Sequence, residues 1–110
     1  MTAYLVGRDL LFGSRIAAAA TEAGVEIRRV DSPAALPPSD EVSLLLVDWS
    51  EREPDWGAEL AAWRQASAHG PRLILFGPHT DLGAHAEAKR HGIGPMWARS
   101  KLVASLSTLF

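Results

Sequence analysis

A carboxylate stands at the end of the most hydrophobic stretch of the chain. Asp48 follows residues 42–47, whose sequence VSLLLV is typical of a strand buried on both faces of a parallel sheet. A carboxylate at such a position can accept a covalent group, bind a metal ion or pair with a neighbouring cation. Asp48 is therefore the first residue whose chemistry has to be explained.

The elements that position Asp48 follow from the spacing of the apolar residues. Short apolar runs predict five strands, over residues 3–6, 25–30, 42–47, 73–76 and 95–98. Helical periodicity predicts four helices, over residues 10–23, 55–68, 80–91 and 101–110. Three prolines between residues 31 and 40 leave room for at most one helical turn, so the second helix of this pattern should be stunted or absent.

Strands that alternate with helices predict an α/β fold, a three-layer sandwich with a parallel sheet between layers of helices. A chain of 110 residues has the size of one domain, which we place at residues 1–110. The second strand should lie at an edge because charged residues interrupt it. Ligands of such sheets bind at the carboxyl ends of the strands. The residues that follow the predicted strands there are Gly7, Arg8, Asp9, Asp48, Trp49, Gly77, Pro78, His79, Arg99 and Ser100.

Composition argues against several classes of function. The net charge of −2 and the pI near 6.0 give no basic excess for binding nucleic acid. Cysteine is absent, and no two histidines are spaced as ligands on one helix, so we expect neither a disulfide nor a metal site. No apolar run reaches the roughly 18 residues that cross a bilayer, and we expect a cytoplasmic protein without membrane contact or cofactor. The histidines are His69, His79, His85 and His91.

The order of these elements resembles the receiver domain of bacterial response regulators. The resemblance rests on Asp48 after a leucine-rich third strand and on Gly92-x-Gly94 before a short fifth strand, and it covers nearly the whole chain. It implies a flavodoxin-like (CheY-like) fold, with a five-stranded parallel sheet of order 2-1-3-4-5, and a role in bacterial signalling.

The resemblance also assigns positions in a pocket. In receivers two acidic residues after the first strand bind magnesium and an aspartate after the third strand accepts a phosphoryl group. A hydroxyl residue follows the fourth strand and a lysine follows the fifth. Here Gly7 and Arg8 stand at the acidic pair and Asp48 at the phosphoacceptor position. Gly77 stands at the hydroxyl position and Arg99 at the lysine position.

Arg8 changes the chemistry that this pocket could support. Magnesium prefers hard oxygen ligands, and a guanidinium in a ligand position repels the ion, which leaves Asp9 as a single displaced carboxylate. Arg8 and Arg99 should instead approach Asp48 from either side and form charge-assisted pairs with it. The resemblance therefore implies a pseudo-receiver, a regulatory domain that is not an enzyme and acts by binding another protein.

Two other functions remain open from the sequence. The first is a phosphorylatable receiver that uses Asp48 and Asp9. The second is a small nucleotide-binding or enzymatic α/β domain that uses Asp48, His79 and Arg99. A ligand or ion over Asp48 would favour one of these two functions, whereas a salt bridge there would favour the binding domain.

Part of a dinucleotide-binding turn is also present. Gly7 and Gly13, with Asp31 after the second strand, match glycines that admit a phosphate and an acid that binds a ribose. The middle glycine is missing, and residues 10–12 are Leu-Leu-Phe, which fill the turn where a phosphate must approach. The sequence therefore favours structural roles for the two glycines and for Asp31.

Two groups of apolar residues predict an interface. Trp49 and one tryptophan of the helix over residues 55–68 are expected to face outward as anchors for a partner. The final helix should expose an apolar side that mediates homodimerisation, as the corresponding face does in receivers. The residues of that side are Leu102, Leu106, Leu109 and Phe110.

Overall fold

Five parallel strands form one sheet at the centre of the molecule. The computed structural model describes residues 2–68 and 70–110, and within these ranges the strand order is β2-β1-β3-β4-β5. This is the predicted flavodoxin-like order of a parallel α/β sheet, and the prediction is confirmed. The strands are β1 (Thr2–Val6), β2 (Ile27–Val30), β3 (Val42–Asp48), β4 (Arg72–Gly77) and β5 (Met96–Ala98).

Helices cover both faces of the sheet, as the predicted three-layer sandwich requires. Asp9 accepts a hydrogen bond from the Phe12 amide at 3.0 Å and caps the first helix, and Asp81 caps the third in the same way. Gly24 and Gly92, with φ of 72° and 70°, provide the left-handed residues that follow these two helices. The helices are α1 (Leu10–Glu22), α2 (Trp56–Gln65), α3 (Leu82–Arg90) and α4 (Arg99–Leu109).

The segment between β2 and β3 contains no α-helix. Two short 3₁₀ turns, Pro33–Ala35 and Ser39–Glu41, take its place. Prolines remove backbone donors and restrict the residues before them, so this segment cannot propagate a helix. The prediction of a stunted second helix is confirmed.

β2 lies at the edge of the sheet, also as predicted, and its exposed side is charged. Glu26 accepts a hydrogen bond from Arg28 at 2.9 Å, and this contact raises the pKa of the Arg28 guanidinium. Arg29 pairs with Asp31 at 2.6 Å. Charged side chains along an edge strand disfavour the addition of another strand.

The side chains between sheet and helices form two separate hydrophobic cores. On one face α1 and α4 pack with Ile16, Leu102 and Leu106 against the sheet. On the other face α2 and α3 do so with Trp56, Leu60 and small alanines. The central strand β3 contributes to both cores, because its alternate residues point to opposite faces. This double burial explains why residues 44–47 of the strand are all hydrophobic.

The burial of Trp49 contradicts the prediction that this residue faces outward. It is fully buried, and its indole N–H donates to the Ala84 carbonyl at 2.9 Å. It begins a 3₁₀ turn, Trp49–Glu51, that directs the indole under α3 rather than toward solvent. Of the two α2 tryptophans, Trp56 is buried and Trp63 is half-buried, with its N–H bonded to the Pro37 carbonyl at 2.7 Å.

The predicted interface on the final helix also needs correction. Leu102 is fully buried and Leu106 is 7% exposed, while Leu109 and Phe110 are half-buried against the same core. The alanine-rich helix α1 occupies little volume beside α4, and these α4 residues turn inward onto the sheet. Leu102 and Leu106 therefore belong to the core, and Leu109 and Phe110 pack against it, so the four residues do not form an exposed apolar side. Among the described residues, the exposed large hydrophobics are Leu10, Leu11 and Leu82.

A pair of leucine substitutions tests this assignment. Leu106→Ala should lower the free energy of unfolding by about 2–4 kcal/mol, because it removes buried methyl groups and leaves a cavity. Leu11→Ala is the matched control, since Leu11 also lies in a helix but is 88% exposed, and it should change stability by less than about 0.5 kcal/mol. Urea unfolding measures both values. Equal, small effects would show that Leu106 is not part of the core.

Candidate functional site

The site is built around the carboxylate of Asp48, the last residue of β3. The residue is 2% exposed, because β1 and β4 flank it and the following turn covers it. Its Oδ1 accepts hydrogen bonds from the Ser50 amide at 3.2 Å and the Ser50 hydroxyl at 2.5 Å. Asp48 thus caps the 3₁₀ turn that follows it, a common local role of aspartate.

Arg99 supplies the positive charge that the buried carboxylate needs. It is the first residue of α4 and directly follows β5, so the turn from strand to helix places it at the same edge of the sheet. Its Nη2 lies 3.3 Å from Oδ1 and 3.2 Å from Oδ2 of Asp48. The same nitrogen donates to the Ser50 hydroxyl at 3.1 Å. Asp48, Ser50 and Arg99 therefore form a closed hydrogen-bonded triangle.

An aromatic ring holds the other side of the Arg99 guanidinium. The centre of the Phe12 ring in α1 lies 5.5 Å from the Arg99 guanidinium carbon, a distance at which a cation is attracted to the ring. Phe12 in turn packs on Phe76 of β4, with ring centres 5.3 Å apart. The Arg99 Nε is buried and has no hydrogen-bond partner among residues 2–68 and 70–110. The guanidinium is thus fixed between an apolar ring and a carboxylate.

Arg8 does not approach Asp48, which corrects half of the predicted arrangement. Its backbone N–H donates to Glu51 Oε2 at 2.7 Å, and its guanidinium pairs with Glu53 at 3.3 Å. Both side chains of that ion pair are about half exposed. Glu51 thus binds the Arg8 backbone and Glu53 binds its guanidinium, and of the two predicted arginines only Arg99 reaches the carboxylate.

Two glycines leave room for the turn after Asp48. A Cβ added at Gly7 would lie 3.2 Å from the Asp48 Cβ and 3.4 Å from Glu51 Oε2. A Cβ added at Gly77 would lie 3.0 Å from the Met96 sulfur, with the Ser50 amide next at 3.6 Å. No hydroxyl can come from position 77, and the hydroxyl that contacts Asp48 comes from Ser50 instead.

The other predicted site residues lie apart from this triangle. The Asp9 carboxylate is used by the cap of α1, and the carbonyl of His79 accepts a hydrogen bond from His85 Nε2 at 2.9 Å. Within residues 2–68 and 70–110 neither residue forms a hydrogen bond or ion pair with Asp48, and no three metal-ligating side chains are grouped together. His69 lies outside the described residues.

The partial dinucleotide-binding turn has a structural role. Arg29 Nη1 donates to the Gly7 carbonyl at 2.9 Å and pairs with Asp31, so the acid that could bind a ribose is already engaged. Leu10 and Leu11 are 65% and 88% exposed at the start of α1. Two bulky apolar side chains thus occupy the surface over which a phosphate would have to approach.

Sequence analysis missed Ser50 and Glu51. An aspartate at a strand end, followed two residues later by serine, is a recognisable capping pattern and could have placed Ser50 next to Asp48. The contact between Glu51 and the Arg8 amide depends on the path of the loop, and no local pattern in the sequence indicates it.

Two comparisons with known proteins gave no match. No protein-family model matches the chain, and no curated protein matches it. Across the described ranges, none of the helices combines the length and the apolar character needed to span a membrane.

Removal of Arg99 tests the central ion pair. Arg99→Met should lower the free energy of unfolding by about 1–3 kcal/mol, because the buried Asp48 carboxylate loses its only ion-pair partner in the described structure. Adding Asp48→Asn to this variant should restore part of the loss, because it removes the uncompensated charge.

Arg8→Met is the control for this experiment. Its ion pair with Glu53 is half exposed, so its loss should cost less than about 0.5 kcal/mol. Urea unfolding of the three variants and of the original chain gives the comparison. Equal losses from Arg8→Met and Arg99→Met would contradict the assignment of Arg99 as the partner of Asp48.

Proposed function

We propose that this chain is a non-catalytic, regulatory protein-interaction domain, a degenerate receiver whose phosphoacceptor pocket is closed by its own side chains. One observation carries the proposal: the carboxylate at the phosphoacceptor position is engaged by Arg99 and by Ser50. The parallel sheet of order 2-1-3-4-5 is the framework that the receiver resemblance implies.

The engaged carboxylate is poorly suited to phosphotransfer. To attack a phosphorus atom, Asp48 would need a free lone pair directed at the donor. Oδ1 already accepts three hydrogen bonds from Ser50 and Arg99, and Oδ2 accepts one from Arg99. Oδ2 keeps one unused lone pair, but turning it toward a phosphorus donor would break charge-assisted hydrogen bonds to Ser50 and Arg99 in a buried position, which is energetically costly.

The region that would hold magnesium is also altered. Arg8 places a cation after β1, where the family has acidic ligands, and its amide engages the nearby Glu51 carboxylate. Asp9 is turned into the cap of α1. The oxygen ligands that magnesium prefers are thus replaced by a guanidinium or already used within the fold.

Exposed leucines at the carboxyl edge of the sheet support a role in protein binding. Leu10 and Leu11 lie in the first turn of α1, and Leu82 is the first residue of α3, with exposures of 65%, 88% and 78%. Both helices begin at the edge where the strands end and where Asp48 lies. Exposed apolar side chains beside a rigid site are suited to anchor a partner protein. The receiver resemblance further suggests a bacterial, cytoplasmic setting, and the charge of −2 disfavours nucleic acid as the partner.

Phosphorylation chemistry provides the direct test. We expect no mass increase after incubation with acetyl phosphate and magnesium, and no spectral change with beryllofluoride and magnesium, because Asp48 is engaged by Arg99. Intact-mass spectrometry and NMR measure the two results, and an active receiver run in parallel verifies the reagents. A stoichiometric adduct on Asp48 would overturn the proposal and support the phosphorylatable receiver.

A designed variant strengthens this test. Arg8→Asp combined with Arg99→Lys restores the residue types that receivers use at two positions. Uptake of beryllofluoride by this variant, but not by the original chain, would identify the two arginines as the residues that prevent phosphorylation chemistry at Asp48. Saturable binding of a nucleotide that is lost in Asp48→Asn would instead favour the nucleotide-binding domain.

The partner surface can be tested by affinity capture from the source cells. The immobilised chain should retain a defined protein, and Leu10→Ser combined with Leu82→Ser should lose it, because the exposed anchors are removed. Lys89→Ser, an exposed substitution in the last turn of α3, is the control and should retain the partner. Retention by the leucine variant would place the partner elsewhere on the molecule.

A further inference from the structure

The outward face of α1 carries a row of four exposed residues. They recur at alternating spacings of four and three residues, which places them along one side of the helix. We call this row the α1 ridge, and its members are Leu11, Arg15, Ala18 and Glu22. The ridge points away from the core residues Ile16 and Ala20, so it takes no part in the packing of α1 on the sheet.

A groove runs beside the ridge, between α1 and α4. Its volume is about 420 Å³, and it is lined mainly by small and apolar side chains from the two helices. Arg15 and Glu22 mark its charged ends, and Ala18, Ala19, Val103 and Leu106 lie between them. In residues 2–68 and 70–110, neither Arg15 nor Glu22 forms an ion pair.

The arrangement of charges along the ridge is self-complementary. Arg15 and Glu22 are seven residues apart, about two helical turns or roughly 10 Å, with Ala18 and Ala19 midway between them. If a second α1 lies antiparallel across the first, with a two-fold axis at these alanines, each Arg15 faces Glu22 of the partner subunit. A parallel arrangement would instead place like charges opposite each other. The small alanines at the axis allow the two helix backbones to come close.

We propose that the α1 ridge and its groove bind a second copy of this chain in an antiparallel, two-fold symmetric dimer. In a two-fold symmetric interface every contact occurs twice, so the combination of Arg15 and Glu22 provides two ion pairs. The charge pattern thus favours a second copy over an unrelated occupant. The dimer differs from the one predicted from the sequence, because α4 supplies only the floor of the groove and its large apolar residues stay in the core.

This proposal does not depend on the function of the Asp48 site. The ridge lies on the outer side of α1, and none of its residues takes part in the Asp48, Ser50 and Arg99 triangle. Failure of the dimer would therefore leave the proposed closed pocket unaffected, and phosphorylation of Asp48 would leave the dimer unaffected.

Charge reversal with complementation tests the dimer. Sedimentation velocity over micromolar to near-millimolar concentrations should show a monomer–dimer equilibrium for the original chain. Arg15→Glu alone and Glu22→Arg alone should each raise the dissociation constant about tenfold or more, because both ion pairs become repulsive contacts. An equimolar mixture of the two variants should recover association, because the mixed dimer again pairs opposite charges at both contacts. The double variant Arg15→Glu/Glu22→Arg should also recover it.

Arg90→Glu is the control, since it reverses an exposed arginine on α3, in the helix layer on the other face of the sheet, and should leave association unchanged. Far-UV circular dichroism verifies that each variant is folded. A monomer at every concentration would overturn the proposal. Association that persists in both single variants, or a mixture that stays monomeric, would equally overturn it.

Discussion

The contact between Asp48 and Arg99 joins segments that are far apart in the sequence. A carboxylate with 2% exposure is costly unless donors and a positive charge compensate it. Here the donors come from the turn after β3 and the charge comes from the start of α4. Since the guanidinium also packs on Phe12, the same contact reaches α1. One buried charge thus fixes the relative positions of three elements at the carboxyl edge of the sheet.

The surrounding residues are consistent with this central contact. Gly7 follows β1 and Gly77 ends β4, the two strands on either side of β3. A side chain at Gly7 would crowd Asp48, and one at Gly77 would crowd Met96. Ser50 provides a hydroxyl from within the turn itself. Glu51 and Glu53 hold Arg8 outside, so a second guanidinium does not compete for the carboxylate. Under the proposed function, the domain keeps a receiver-like framework while its own side chains occupy the place where small ions would act.

The sequence predicted the features that depend on local pattern. The uninterrupted apolar run before Asp48 indicated a central strand, and the prolines after β2 excluded a full helix there. The pairing of Asp48 with Arg99 could be predicted from the sequence because strand ends in a parallel sheet meet at one edge. The path of the loops could not be predicted from the sequence. That path determines where Arg8 points and why Trp49 turns inward. The burial of Leu106 was also missed, because it depends on how closely α4 can approach an alanine-rich neighbour.

The tryptophans are distributed unequally between the two helix layers. Trp49, Trp56 and Trp63 belong to the core under α2 and α3, whereas Trp97 packs on the opposite face beside Lys101, whose Nζ lies 4.3 Å from the ring centre. Intrinsic fluorescence of the folded protein therefore arises mainly from one layer. Loosening of the α2 and α3 side would change the surroundings of three indoles, whereas rearrangement of α1 against α4 would change those of Trp97 alone. The two halves of the molecule are optically distinguishable without any added label.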